Sequence, residues 1–444
     1  MTHLVSTNYF PYLFPMLNRS ITKWAMVLLV INGVIGSGIF GLPSKAFERV
    51  GVYSIAAFLV CAIAVFIIIL CFAEVSSRFD KTGGPYLYAL SSFGPLPAFL
   101  TGWLLLLTRF ITYAALINLL VTYLSVFSDW FELRSSRVVS IVLLTVILAY
   151  VNHVGVKNST RINNLLTIAK LLPLLLFIVV GFFFIKSENY QVDKVPDFPS
   201  FSSTVLLLVF AFGGFESVLV NSGEVKDPEK NLPFALLLAA LIIAGIYMLV
   251  QIVSIGVLPS LASTDKPLAE AANLFVGKPG AIIIALGAMF SVAGTLNAIM
   301  LVGSRLPFAF SEEDQFPKVF SFIHPKYKTP TWSLLLFMGV TIIISLNYSF
   351  LSAASLSAIT RVMIYGIVCI TLIILRKKKT EQRNFFKINY GTVIAMLGVI
   401  ITIWLLSSAT MKEMKHVGIA IGIGLLVYLL MELSKQIWRG KTKN

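Results

Sequence analysis

Twelve runs of about twenty apolar residues, each bounded by a polar or charged cluster, follow one another along this chain of 444 residues. A helix rising 1.5 Å per residue crosses the ~30 Å hydrocarbon core of a bilayer in a run of that length. Lipid offers backbone N–H and C=O groups no partner, so an open sheet or loop is excluded there. The pattern therefore predicts an all-α membrane protein with twelve transmembrane helices. The spans fall at about 24–47, 52–77, 95–126, 137–156, 162–186, 202–222, 233–258, 278–305, 331–349, 354–375, 389–410 and 416–436. Composition points the same way. With 57% hydrophobic and 12% charged residues, the chain has too little polar surface for a soluble globule.

The net charge of +15 does not read as a nucleic-acid footprint, because the basic residues lie in short loops between apolar runs. They set orientation instead. With the N-terminus in the cytoplasm, 22 Lys and Arg fall inside, among them Arg376-Lys377-Lys378-Lys379, and 10 outside. An even number of spans then puts both termini in the cytoplasm of a multi-pass protein of the inner membrane. Residues 1–20 lack the order of a cleavable leader and are expected to form a cytoplasmic arm on the membrane surface. Residues 437–444 are expected as a cytoplasmic tail. Between them, 21–436 reads as a single transmembrane domain, since the longest non-apolar stretch, about Leu306 to Pro330, is too short to bury a core. Cys61, Cys71 and Cys369 sit in apolar runs without paired spacing and read as buried thiols. His3, His153, His324 and His416 lack ligand spacing, so neither a metal nor a cofactor is expected. No nucleophile elbow, phosphate loop or carboxylate dyad suggests an enzyme.

Two runs are interrupted near mid-membrane. Gly36-Ser37-Gly38-Ile39-Phe40 breaks the first, and Phe212-Gly213-Gly214-Phe215-Glu216 breaks the sixth. A glycine inside a helix costs roughly 1 kcal/mol. A backbone group freed in lipid costs several more unless protein or ligand satisfies it. Two breaks at corresponding places in the two halves predict a solute site, with half-helix N-termini facing anions and unwound carbonyls facing cations. Close helix packing through small residues is the alternative. The charged residues Arg109, Lys170, Glu216 and Arg361 also lie within the spans. Ionisable groups at that depth are functional candidates by default.

Four stretches occur in order along the chain. They are Gly33-Val34-Ile35-Gly36-Ser37-Gly38-Ile39-Phe40, then Ala73-Glu74-Val75-Ser76-Ser77-Arg78-Phe79 leading to Gly83-Gly84-Pro85-Tyr86, then Gly223-Glu224-Val225-Lys226-Asp227-Pro228-Glu229-Lys230-Asn231-Leu232-Pro233. The last is Ser304-Arg305 with His324-Pro325-Lys326-Tyr327-Lys328-Thr329-Pro330. On these residues the chain resembles bacterial amino acid permeases of the amino acid–polyamine–organocation (APC) superfamily over nearly its whole length. The resemblance implies a LeuT-type 5+5 inverted repeat with helices 1 and 6 unwound. Repeat one would span 21–190 and repeat two 200–380, with helices 11 and 12 (388–436) peripheral. It implies amino acid transport by alternating access. The substrate carboxylate would meet N–H groups of Ser37, Gly38 and Ile39, flanked by Ile35 and Gly36, and the ammonium would meet carbonyls around Phe210, Ala211 and Phe212 beside Gly213. Phe210 and Phe215 become candidates for an aromatic lid.

Lys170 matches a position where proton-coupled relatives carry a lysine in place of sodium. It would bridge carbonyls near Gly33 and Val34 to Ser291 or Thr295, coupling protons to a two-state element. Snorkelling to the cytoplasmic interface is the alternative. Arg109, on the pocket-facing side of helix three, could hold a carboxylate and disfavour cationic substrates, yet the simplest reading pairs it with Glu216. Glu216 falls where some exchangers place a glutamate in the transport path. Arg361 is expected to snorkel outward. Glu74 and Arg78, with Asp80 and Lys81, read as a cytoplasmic gate or a solvated helix end. Phe234 stands where relatives carry an arginine. Proton symport of amino acids is the leading expectation, ahead of an amino acid or polyamine exchanger and a non-transporting amino acid sensor.

Overall fold

A computed structural model describes residues 21–79, 83–155, 160–192, 194–219, 224–378 and 385–441, without the side chains of 160–169 and 437–441. The expected arm at 1–20, Asp80, Lys81, Gly223 and the last three residues of the tail lie outside the described residues. Those described are helical throughout, apart from short 3-10 turns, loops and one bridge between Ile21 and Val225. In chain order the helices are α1 (Lys23–Val34), α2 (Gly38–Val50), α3 (Ser54–Ser77), α4 (Pro85–Phe93), α5 (Pro95–Leu124), α6 (Arg134–Val154), α7 (Thr160–Phe182) and α8 (Phe198–Phe212). Then follow α9 (Phe215–Val218), α10 (Pro228–Val257), α11 (Pro267–Val276), α12 (Lys278–Glu312), α13 (Thr331–Asn347), α14 (Phe350–Lys377), α15 (Gly391–Ser407) and α16 (Met411–Lys441).

Among the described residues, eight helical stretches are long and apolar enough to cross a membrane, and four shorter apolar helices, α1, Lys170–Phe182, α13 and α15, stand beside them. Burial separates centre from edge. In the most apolar stretch of α5, 89% of residues are buried inside the protein, against 11% in α16. A helix that is apolar all round and enclosed is a core element, whereas α16 offers its apolar surface to lipid. Around α5 pack α4, α12, α13 and α14.

The helix ends follow local chemistry. Thr22 caps α1 by accepting from Ala25 N at 3.4 Å, and Asp197 caps α8 by accepting from Ser200 N at 3.0 Å. The apolar runs did not announce α4 and α11. Proline opens each and a glycine with positive φ, Gly94 or Gly277, closes it, the usual asymmetry of helix punctuation. Within the eighth span the helix also runs past the expected end at residue 305 to Glu312, carrying Pro307 inside it.

Two apolar segments are split. Residues 35–37 separate α1 from α2, and Gly213–Gly214 separate α8 from α9. Gly214 has φ 123°, a conformation that side-chain-bearing residues rarely adopt, and a Cβ there would collide with the Gly33 carbonyl. Gly38 lies so close to Ala211 that a Cβ would sit 2.5 Å from its Cα. From α10, the Tyr247 hydroxyl donates to Ala211 O at 3.1 Å and Val34 O at 3.4 Å. The two breaks thus lock against each other.

Candidate functional site

At the first break several backbone N–H groups lack an acceptor among the described residues. Phe40 N and Gly41 N both donate to Ser37 O at 3.1 Å, which starts α2. Among the described residues, the N–H groups of Ser37, Gly38 and Ile39 have no acceptor, and the buried Ser37 Oγ has no partner. These are the orphan donors of a helix start, here at buried residues. Across from them α8 ends. The Gly214 N–H turns to Glu216 at 2.8 Å, so the carbonyls of Phe210 and Phe212 are left without a donor among the described residues, and Ala211 O takes Tyr247.

Lys170, on α7, is buried and reaches the same break. Its Nζ donates to Asn32 O at 3.3 Å, Ile35 O at 3.4 Å and Thr295 Oγ1 at 3.2 Å. Ser291 Oγ, one turn earlier on α12, donates to Ile35 O at 3.5 Å, and Thr295 Oγ1 donates to Ser291 O at 3.0 Å. The acceptors on the first segment are thus Asn32 and Ile35, which flank Gly33 and Val34 and lie three residues apart on one helix face. Val34 O points to Tyr247 instead, and Gly33 O to Gly214. No carboxylate lies within ion-pair distance of Lys170 among the described residues.

The second break carries an ion pair that sequence reasoning assigned differently. Glu216 Oε1 pairs with Arg361 Nη1, and its Oε2 accepts from Gly214 N at 2.8 Å and Tyr365 OH at 3.2 Å. Arg361 further donates to Ser357 Oγ and Thr112 Oγ1, each at 3.3 Å, and those two hydroxyls lie 2.7 Å apart. The expected Arg109–Glu216 ion pair is therefore replaced by Arg361–Glu216. Arg361 does not snorkel outward but is 3% exposed, with its guanidinium where a Cβ on Gly213 would stand. Counting rise per residue gives depth along a helix and says nothing of which face a side chain leaves from. A hint was present: Ser357, Thr360 and Arg361 form a polar stripe at helical spacing on α14, matched by Thr108 and Thr112 on α5.

Arg109, also on α5, is 5% exposed and has neither an ion pair nor a hydrogen bond among the described residues, although it lies within electrostatic reach of Glu216, Arg361 and Tyr365. Phe215 is fully buried between Phe72 and Tyr365, with ring centroids 5.1 and 5.3 Å away. Phe210 instead meets Phe350, a residue lining a cavity of about 500 Å³ together with Gly41, Lys45, Arg134, Arg137 and Asp265. A second cavity of about 550 Å³ is lined by Gly102, Leu105, Asn152, Glu224, Arg305 and Glu313 among others. Burial, then the neighbouring Asp314 and Glu312, push the Glu313 carboxyl up.

Glu74 is not at a solvated helix end. It is fully buried, pairs with Arg78 at 2.6 Å and with Arg376, and accepts from Ile388 N at 3.0 Å. Phe234 is not idle either: Lys23 Nζ stands 3.8 Å from its ring centroid, a cation–π contact.

The chain is also similar in sequence to known proteins. The profile of the family described as amino acid permease matches residues 21–433. The chain is 30% identical to the methylthioribose transporter of Bacillus subtilis (strain 168) over 440 residues, covering 93% of both chains. It is 27% identical to that organism's branched-chain amino acid permease BcaP, with 93% of each chain covered. Its serine/threonine exchanger SteT is also 27% identical, over 92% of this chain and 95% of its own. The chain therefore belongs to the amino acid permease family and is a multi-pass, all-helical membrane transporter of that kind.

Proposed function

We propose that this chain carries amino acids across the cytoplasmic membrane by alternating access and couples them to protons. The observation that carries the reading is the set of N–H groups at Ser37, Gly38 and Ile39, beside the carbonyls of Phe210 and Phe212, that have no partner among the described residues. A zwitterion complements both: its carboxylate would take the donors and its ammonium the acceptors. Ile35, Gly36 and Gly213 give the turns that expose these groups. Phe210, against Phe350, would close the outer side. The accompanying architecture is twelve spans in two inverted repeats, with both termini cytoplasmic.

Proton coupling is supported by the geometry of Lys170. An ammonium has three N–H donors, and three acceptors surround it. A neutral amine has two donors and a lone pair, so one acceptor on α1 or α12 would lose its bond. Protonation then biases how tightly α1, α7 and α12 are tied.

The test is a thermal-shift screen of the purified protein against the common amino acids, polyamines and methylthioribose, followed by proteoliposome uptake with and without a proton gradient. Stabilisation by an amino acid and accumulation only with the gradient are expected. Uptake that depends on internal counter-substrate instead would select an exchanger, and binding without flux a sensor.

A further inference from the structure

The charged groups at the second break do not balance. Among the described residues two guanidiniums stand near one carboxylate: Arg361 is paired with Glu216, and Arg109 lies only within its electrostatic reach. That carboxylate is already engaged by Arg361, the Gly214 N–H and the Tyr365 hydroxyl. Arg109 is 5% exposed, and its Nε has no hydrogen-bond partner among the described residues. A cation kept at such depth with its donors unused is expensive, and a protein retains one where a counter-charge arrives.

The position of Arg109 says from where. Gly102 and Leu105 line the cavity of about 550 Å³ that also holds Glu224 and Arg305. Thr112 accepts from Arg361 at the break. Residues 102, 105, 109 and 112 follow the i, i+3, i+7, i+10 spacing of one helix face. Arg109 therefore stands on the stripe that runs from the cavity to the break. The other cavity is the basic one, with Lys45, Arg134 and Arg137 against Asp265 among its described lining residues.

We infer that Arg109 is the seat of a carboxylate-sized monoanion, bound between the Glu216–Arg361 pair and the cavity lined by Gly102 and Leu105. Two sources supply that chemistry. One is the side-chain carboxylate of a dicarboxylic amino acid, whose α-groups would be held at the breaks; this arm rests on the proposed function. The other is a free inorganic anion such as chloride, which does not.

The experiment measures stabilisation of the purified full chain in chloride-free sulfate buffer by L-glutamate, L-glutamine, L-aspartate and L-asparagine, then by chloride alone. It is run on wild type, Arg109→Gln and Arg109→Lys. Expected is either an affinity ratio of acid over amide of about tenfold or more, or saturable stabilisation by chloride at millimolar concentration, with the effect lost in Arg109→Gln and kept in part by Arg109→Lys. Wild type showing neither effect overturns the assignment, as does an effect that survives in Arg109→Gln. If no amino acid binds but the chloride effect depends on Arg109, the anion seat stands and the amino acid reading falls.

Discussion

The two helix breaks are held by opposite chemistry. Beside residues 35–37 a lysine supplies three hydrogen bonds to neutral acceptors, with no acid next to it among the described residues. At Gly213–Gly214 an arginine is fixed to a carboxylate that also grips the backbone. Arginine keeps its charge at any physiological pH, whereas an amine can give its proton away. Under the proposed coupling, one break stays clamped while the other loosens when Lys170 gives up its proton.

The largest effect expected from breaking this contrast is at Lys170. Lys170→Met should abolish gradient-driven accumulation in proteoliposomes, leaving only equilibration, while substrate still stabilises the protein. Uptake that still responds to the pH gradient would remove Lys170 from the coupling. Next comes the clamp. Glu216→Ala leaves Arg361 buried without its acid and should lower stability by about 3–5 kcal/mol, read as a drop in unfolding temperature in detergent. Replacing both together with apolar residues of similar size should recover much of that loss, which would not follow if the pair were solvated. Gly214→Ala forces a strained φ and a collision with Gly33 O, so at least about 1–3 kcal/mol should be lost. Tyr247→Phe, which removes one hydroxyl from the carbonyls of Val34 and Ala211, should cost only about 0.5–1.5 kcal/mol. A Tyr247→Phe loss as large as that at Glu216 would mean that the bridge, not the ion pair, sets the second break.

Much of the architecture was legible because lipid simplifies the problem. Apolar runs mark the helices, and glycines at 36, 38, 213 and 214 mark where they end, since only a purpose offsets their cost. What could not be read was azimuth. Arg361 and Glu216 lie 145 residues apart, and nothing local tells that they meet. Glu74 shows the same limit: its partners Arg376 and Ile388 come from the far end of the chain. α4 and α11 escaped because their boundaries are written in Pro and Gly rather than in hydrophobicity. Phe234, where the resemblance leads to an arginine, instead carries Lys23 over its ring, a contact between segments that its own position does not announce.

The contacts of Gly214 with Gly33 and of Gly38 with Ala211, bridged by Tyr247, leave no slack between the split segments. Each segment sits in the notch of the other, so neither can tilt without dragging its neighbour and α10 along. A displacement begun at either membrane face is therefore handed on whole, in the manner of a rigid rocker arm, rather than dissipated at the kinks.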